Sequence, residues 1–139
     1  MKDAAAEFFI DLANVKDEHL HVMRGHLLIE QKLRELIDLK VKRPDALSDA
    51  RLTFNQIVCI AESFYWEKYS DWLWQGIRKL NNIRNSFSHQ LEQKNYEKIV
   101  KEFIGICRDN NTELSGRSRI ILAMCSVYTR LDAYIQAPI

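Results

Sequence analysis

Residues that interrupt helices are nearly missing from this chain. Its 139 residues include four glycines and two prolines, and no run alternates β-branched with polar residues. Glycine and proline are the strongest helix breakers, and period-two alternation marks a half-buried strand. A chain poor in both is expected to be almost entirely helical. Its length suffices for a core without staples, and 47% hydrophobic with 28% charged residues supplies both an interior and a solvated surface. The expectation is an all-α fold, one compact bundle of about five to six helices forming a single domain over residues 1–139.

Six helical segments can be drawn along the chain. The first, about 3–13, carries Phe8, Phe9, Ile10 and Leu12; the second, about 17–41, opens on Asp17 as a cap and ends before Pro44. A third begins at Thr53, where Thr53-Phe54-Asn55-Gln56 has capping-box spacing, and runs to about Phe64. The remaining three are expected at about 70–90, 95–108 and 115–136, the last very apolar through Ile120-Ile121-Leu122-Ala123-Met124-Cys125. Repeats, low-complexity tracts and interdomain linkers are missing from the sequence.

The formal net charge of +1 lacks the basic excess of a protein that coats duplex DNA, although two subunits pooling charge could still form a local basic groove. Cys59, Cys107 and Cys125 are widely spaced among apolar residues, which predicts buried free thiols. Asp3, Glu7 and Asp11 occupy the N-terminus where a signal peptide would need an apolar run, and no run of about 18 uncharged apolar residues exists to span a bilayer. The expectation is a cytoplasmic protein without a membrane partner.

Chemistry concentrates in Arg84-Asn85-Ser86-Phe87-Ser88-His89. Arginine stays charged at any working pH and suits phosphate, while histidine titrates near neutrality and can move protons. Together they form a minimal set for cutting RNA without a metal. With each residue turning about 100° on a helix, Leu73, Ile77, Leu80, Ile83, Phe87 and Leu91 share a core face with Arg84 at its border. Asn82, Asn85 and His89 share the adjacent stripe, flanked by Asn81 and Ser88. Asn and Ser are poor helix formers, so this polar face suggests a surface selected for hydrogen bonding, or else a helix that begins to fray at Asn81 and Asn82. Arg84 and His89 stand about 140° apart on a regular helix. The helix must break between them, or a second copy must complete the site across a two-fold axis.

A second polar intrusion lies on the long helix. Val22, Ile29, Leu33, Leu36 and Ile37 form its apolar stripe, with His26 and Glu30 in the middle by phase and His19 and Met23 in line. An unpaired buried carboxylate is costly, and Arg84 is the expected partner of Glu30, retaining donors for a phosphate. Such a network could equally be structural. A cation held by His19, His26 and Glu30 lacks a matching ligand set on another helix, so no metal is expected. His21 is expected to be exposed. Trp66, Trp72 and Trp74 with Tyr65 and Tyr69 form an aromatic cluster that either packs a helix junction or stacks on bases. A Gly-rich phosphate loop, a paired Cys/His zinc motif, a Gly-x-Ser-x-Gly turn and a helix-turn-helix pattern are all missing, and no cofactor is expected.

An all-helical domain with Arg-Asn-x-x-x-His at the end of a helix resembles the HEPN superfamily, whose motif is Arg, four to six residues, then His, with a polar residue after the Arg. Arg84, Asn85 and His89 match it with a four-residue spacer. Leu80-Asn81-Asn82-Ile83-Arg84-Asn85, following Arg24-Gly25-His26-Leu27-Leu28-Ile29-Glu30, is similar to the group containing the mannitol-operon repressor. The likeness covers about residues 17–130. It implies a bundle that dimerises across its motif helices, with RNA or a nucleotide as partner and, for toxin members, an antitoxin or regulatory protein as well. Many relatives are metal-independent ribonucleases of toxin or phage-defence systems; others, including the mannitol-repressor group, bind or regulate. Some toxin members carry Tyr two residues after the His, where this chain has Leu91.

The expected activity is metal-independent endoribonuclease cleavage at a dimer-interface site. The RNA 2′-hydroxyl would attack the adjacent phosphate, His89 would move a proton, Arg84 would stabilise the phosphorane, and Asn85 would bind an oxygen or orient His89. Glu30, Ser88 and Asn81 would support them. The alternatives are a regulatory or binding module using the same groove, and a buried structural network with no activity.

Overall fold

The computed structural model describes residues 3–13, 17–87, 93–107 and 116–137. They form seven helices: α1 (Ala4–Ala13), α2 (Glu18–Lys40), α3 (Pro44–Ser48), α4 (Phe54–Phe64), α5 (Asp71–Ser86), α6 (Gln93–Ile106) and α7 (Gly116–Gln136). No strand occurs among the described residues. The fold is an all-α bundle. The six expected segments all form, and the addition is α3, a five-residue turn started by Pro44 at its first position. Proline was expected only to stop α2, but its fixed φ also preorganises the first turn of a helix.

Caps set the starts. Asp17 Oδ1 accepts from the backbone N–H groups of His19 (2.8 Å) and Leu20 (3.3 Å), so α2 begins where expected. At α4 the capping box is reciprocal: the Gln56 N–H donates to Thr53 Oγ1 (3.2 Å) and the Thr53 N–H to Gln56 Oε1 (2.9 Å). Two orphan donors of the first turn are thereby satisfied.

α2 is the central element, packed against α1, α4, α5 and α7. Four neighbours bury a wider arc than one apolar stripe, and this corrects the expectation for His21, which is buried at 2% exposure. A stripe argument assumes a helix with one packed side. Gly25, also on that arc, lets α7 approach closely; a Cβ there would stand 2.5 Å from Met124 Sδ. Lys32, largely buried, crosses to α7 and donates to Asp132 Oδ1 at 2.9 Å. The buried side chains form one cluster that includes Ile29, Leu33, Ile57, Leu80, Phe103 and Leu131.

The thiols divide. Cys107 and Cys125 are buried, and burial pushes the Cys125 thiol up to about 11. Cys59 is exposed, contrary to expectation, because α4 buries only the side carrying Ile57, Val58 and Ala61. Its sulfur faces Arg78, whose guanidinium pairs with Glu62.

Candidate functional site

Polar residues of α5 meet the N-terminal half of α2. The helix continues to Ser86, so Asn81 and Asn82 lie inside it and do not mark a fraying end. Ser86 Oγ turns back to donate to the Ile83 carbonyl at 2.6 Å, and Phe87 caps the helix with its N–H on Arg84 O. Ser88 and His89, with the expected continuation of the helix to residue 90, lie outside the described residues.

His26 is the buried polar residue of this junction, at 4% exposure. Asn81 Oδ1 accepts from its Nε2 at 3.1 Å, which places the ring proton on that nitrogen. The other side of the ring packs on Phe54, the first residue of α4, with centroids 4.1 Å apart. Burial lowers the His26 pKa to about 4; the hydrogen bond to Asn81 opposes the shift, and the Arg84 guanidinium adds to it. At neutral pH His26 is therefore an uncharged prop for Asn81. It is poorly suited to exchange protons with a ligand.

Arg84 is exposed, one turn beyond Asn81 on the same helix, and makes no ion pair among the described residues. The expected pair with Glu30 does not form: Glu30 is half-buried and neither a hydrogen bond nor an ion pair joins it to Arg84. Solvent at the edge of α2 removes the need for an ionic partner that a core position would impose. Asn85 is exposed beside Arg84. The junction thus presents the Arg84 cation beside the Asn85 carboxamide, with His26 buried behind Asn81, and the cation favours an anion.

The end of α5 is fastened by rings. His19 stacks on Phe87 with centroids 4.1 Å apart and planes 19° apart, and Tyr96 at the start of α6 lies 5.5 Å from His19 and 6.0 Å from Phe87. Burial raises the Tyr96 hydroxyl pKa, and the Glu18 and Asp17 carboxylates raise it further. The sequence showed His19 in line with His26, but nothing in the apolar periodicity of α6 marked Tyr96 as its neighbour, and Phe54 was legible only as the start of α4. The His19–Phe87 and His26–Asn81 contacts run in opposite senses along the chain, so α2 and α5 are antiparallel here. By that register Met23, midway between His19 and His26 in sequence, falls opposite the turn of α5 that carries Arg84. Leu20, Met23 and Leu27 are exposed and share one face at helical spacing.

Among the described residues, no three His, Cys, Asp or Glu side chains gather into a metal-ligating group. His19, His26 and Glu30 are accordingly not brought to a common point. No helix among the described residues is long and apolar enough to cross a membrane.

Comparison with protein-family models, curated proteins and solved structures finds no match for this chain.

Proposed function

We propose that the chain is a metal-independent endoribonuclease of HEPN type, acting at a site that two copies complete. The observation that carries this reading is Arg84: an exposed guanidinium with no ion pair among the described residues, flanked by Asn81 and Asn85 on a helix that ends at Ser86, three residues before His89 in the sequence. A cation without a carboxylate keeps its donors for a phosphate. His26 is uncharged and spent on Asn81, and the proposal assigns proton transfer to His89 of the Arg-Asn-x-x-x-His motif.

In the proposed reaction the RNA 2′-oxygen forms a bond to phosphorus and the 5′-oxygen leaves. His89 takes the 2′-hydroxyl proton and gives a proton to the 5′-oxygen as it leaves, so that none is gained or lost overall, and Arg84 stabilises the charge on the phosphorane. General acid–base help contributes about 10²–10⁴-fold, and a preorganised cation about 10²–10³-fold. The second copy is supported by the exposed Leu20, Met23 and Leu27 on α2, the helix packed against α5, an apolar face that a two-fold partner would cover. The dimer would set the His89 of one copy near the Arg84 of the other.

The test is RNA incubated with purified protein in EDTA, with end-group analysis of the products. The proposal expects 2′,3′-cyclic phosphate and 5′-hydroxyl ends, and no products from a folded His89→Ala variant. Cleavage that persists in His89→Ala refutes the assigned role. RNA binding without turnover in the wild type replaces this reading with a regulatory module using the same cation.

A further inference from the structure

At the far end of α5 from Arg84 a second surface takes shape, where α5, α7 and the turn between α4 and α5 meet. Three neighbouring concavities of about 410, 190 and 140 Å³ share lining residues and together outline a track. Trp72 and Arg130 line both the first and the second, and Glu67 and Tyr134 line both the second and the third. The aromatic cluster of the sequence divides here. Trp74 is core and Trp72 is half-buried, but Trp66 and Tyr69 are 75% and 76% exposed. Tryptophan is highly buried on average, so such exposure is informative.

Tyr69 is also the residue with positive φ among the described non-glycine positions, at 71°. A side chain in the left-handed region costs roughly 1–2 kcal/mol, so the turn keeps Tyr69 at the surface against a local penalty. Lys68 stands over its ring at 5.2 Å. Arg130 is exposed and makes no ion pair among the described residues. Lys40, Lys68 and Arg130 line the track against the single carboxylate of Glu67.

We infer that this track binds single-stranded RNA, with bases stacked on Trp66 and Tyr69 and phosphates held by Arg130 and Lys68. Interleaved aromatic faces and cations are the general means of holding a single strand without reading its sequence, and the charge balance of the track matches a polyanion. The inference rests on RNA being the ligand of the Arg84 site. Trp72 and Arg84 are separated by about 18 Å along α5 at 1.5 Å per residue, so the track would hold a strand whose other part reaches the cutting site.

The experiment is fluorescence anisotropy with a labelled 2′-O-methyl oligouridylate of about 15 nucleotides, near the upper site size of single-strand binders. Lacking a free 2′-hydroxyl, it cannot be cut by the proposed reaction. Trp66→Ala and Tyr69→Ala should each weaken binding by about 5–150-fold, as expected for one lost stacked base. Trp66→Phe should restore most of the loss. Arg130→Ala should lower the slope of log affinity against log salt by about 0.7, whereas Trp66→Ala should leave that slope unchanged. All three positions are exposed, and melting curves verify that the variants fold. Wild-type affinity in both aromatic variants overturns the inference. A wild type that binds no oligonucleotide also overturns it, and would leave the track as a protein-docking surface. Track binding without any RNA cleavage sinks the endoribonuclease reading alone; cleavage that depends on Arg84 while the track variants bind normally sinks the track alone.

Discussion

Lowering the pH should unfold this protein partly through one side chain, His26. In the unfolded chain an imidazole titrates at 6.5, whereas in the fold burial lowers His26 to about 4. Between those values the unfolded state binds a proton that the native state does not. Stability therefore rises with pH across this window. The contribution is fully present above pH 6.5 and lost progressively as the pH falls toward 4. One pKa unit is worth 1.36 kcal/mol, so a shift of this size corresponds to about 3 kcal/mol at the acid limit and about 2 kcal/mol at pH ~5. Urea unfolding at pH ~7.5 and ~5 measures the loss, but other groups also titrate between them. The same pair of measurements on His26→Gln removes their share, and the difference between wild type and variant should be about 2 kcal/mol. An equal pH-dependent loss in both proteins refutes the argument, as does an NMR titration of the His26 ring centred near 6.5.

Other perturbations test the packing. Lys32→Ala leaves Asp132 largely buried without its cation and should cost roughly 3 kcal/mol in urea unfolding, while Lys32→Met with Asp132→Leu should recover most of it; a double variant no better than the single one contradicts this account. Gly25→Ala should destabilise by about 1 kcal/mol, because overpacking against the fully buried Met124 exceeds the gain in helix propensity. An increase in melting temperature would show that Met124 yields freely. Thr53→Ala removes one half of the capping box and should cost about 1 kcal/mol by the same unfolding assay.

Local rules carried much of the architecture. Asp17 and Thr53 announce their helices by side chains that bond within three residues, so the sequence contains both partners. Helix periodicity likewise placed Leu73, Ile77, Leu80 and Ile83 in the core, where all are fully buried. What failed depended on the number of neighbours around a helix. His21 is buried because α2 is enclosed by α1, α4, α5 and α7, and Cys59 is exposed because α4 is covered on one side. Neither fact is contained in the phase of a single helix.

The junction was legible to the same depth. His26 and Asn81 were both singled out as polar residues of unusual placement, one on each helix, yet their bond spans 55 residues of chain and no spacing rule pairs them. A carboxylate buried at Glu30 would call for Arg84 as its partner, but Glu30 lies at the half-exposed edge of α2, where water meets that need. The aromatic cluster could be recognised by composition but not divided into its buried Trp74 and exposed Trp66, since that division follows from how the turn after α4 meets α7.

The most direct test of the central claim is the single-turnover rate of RNA cleavage in EDTA by wild type and Arg84→Ala at equal concentration. Arg84 is exposed, so the variant should melt as the wild type does. The account predicts a rate lower by about 10²–10³-fold, the usual loss on removing one preorganised charge-stabilising donor. Equal rates in the two proteins would contradict it.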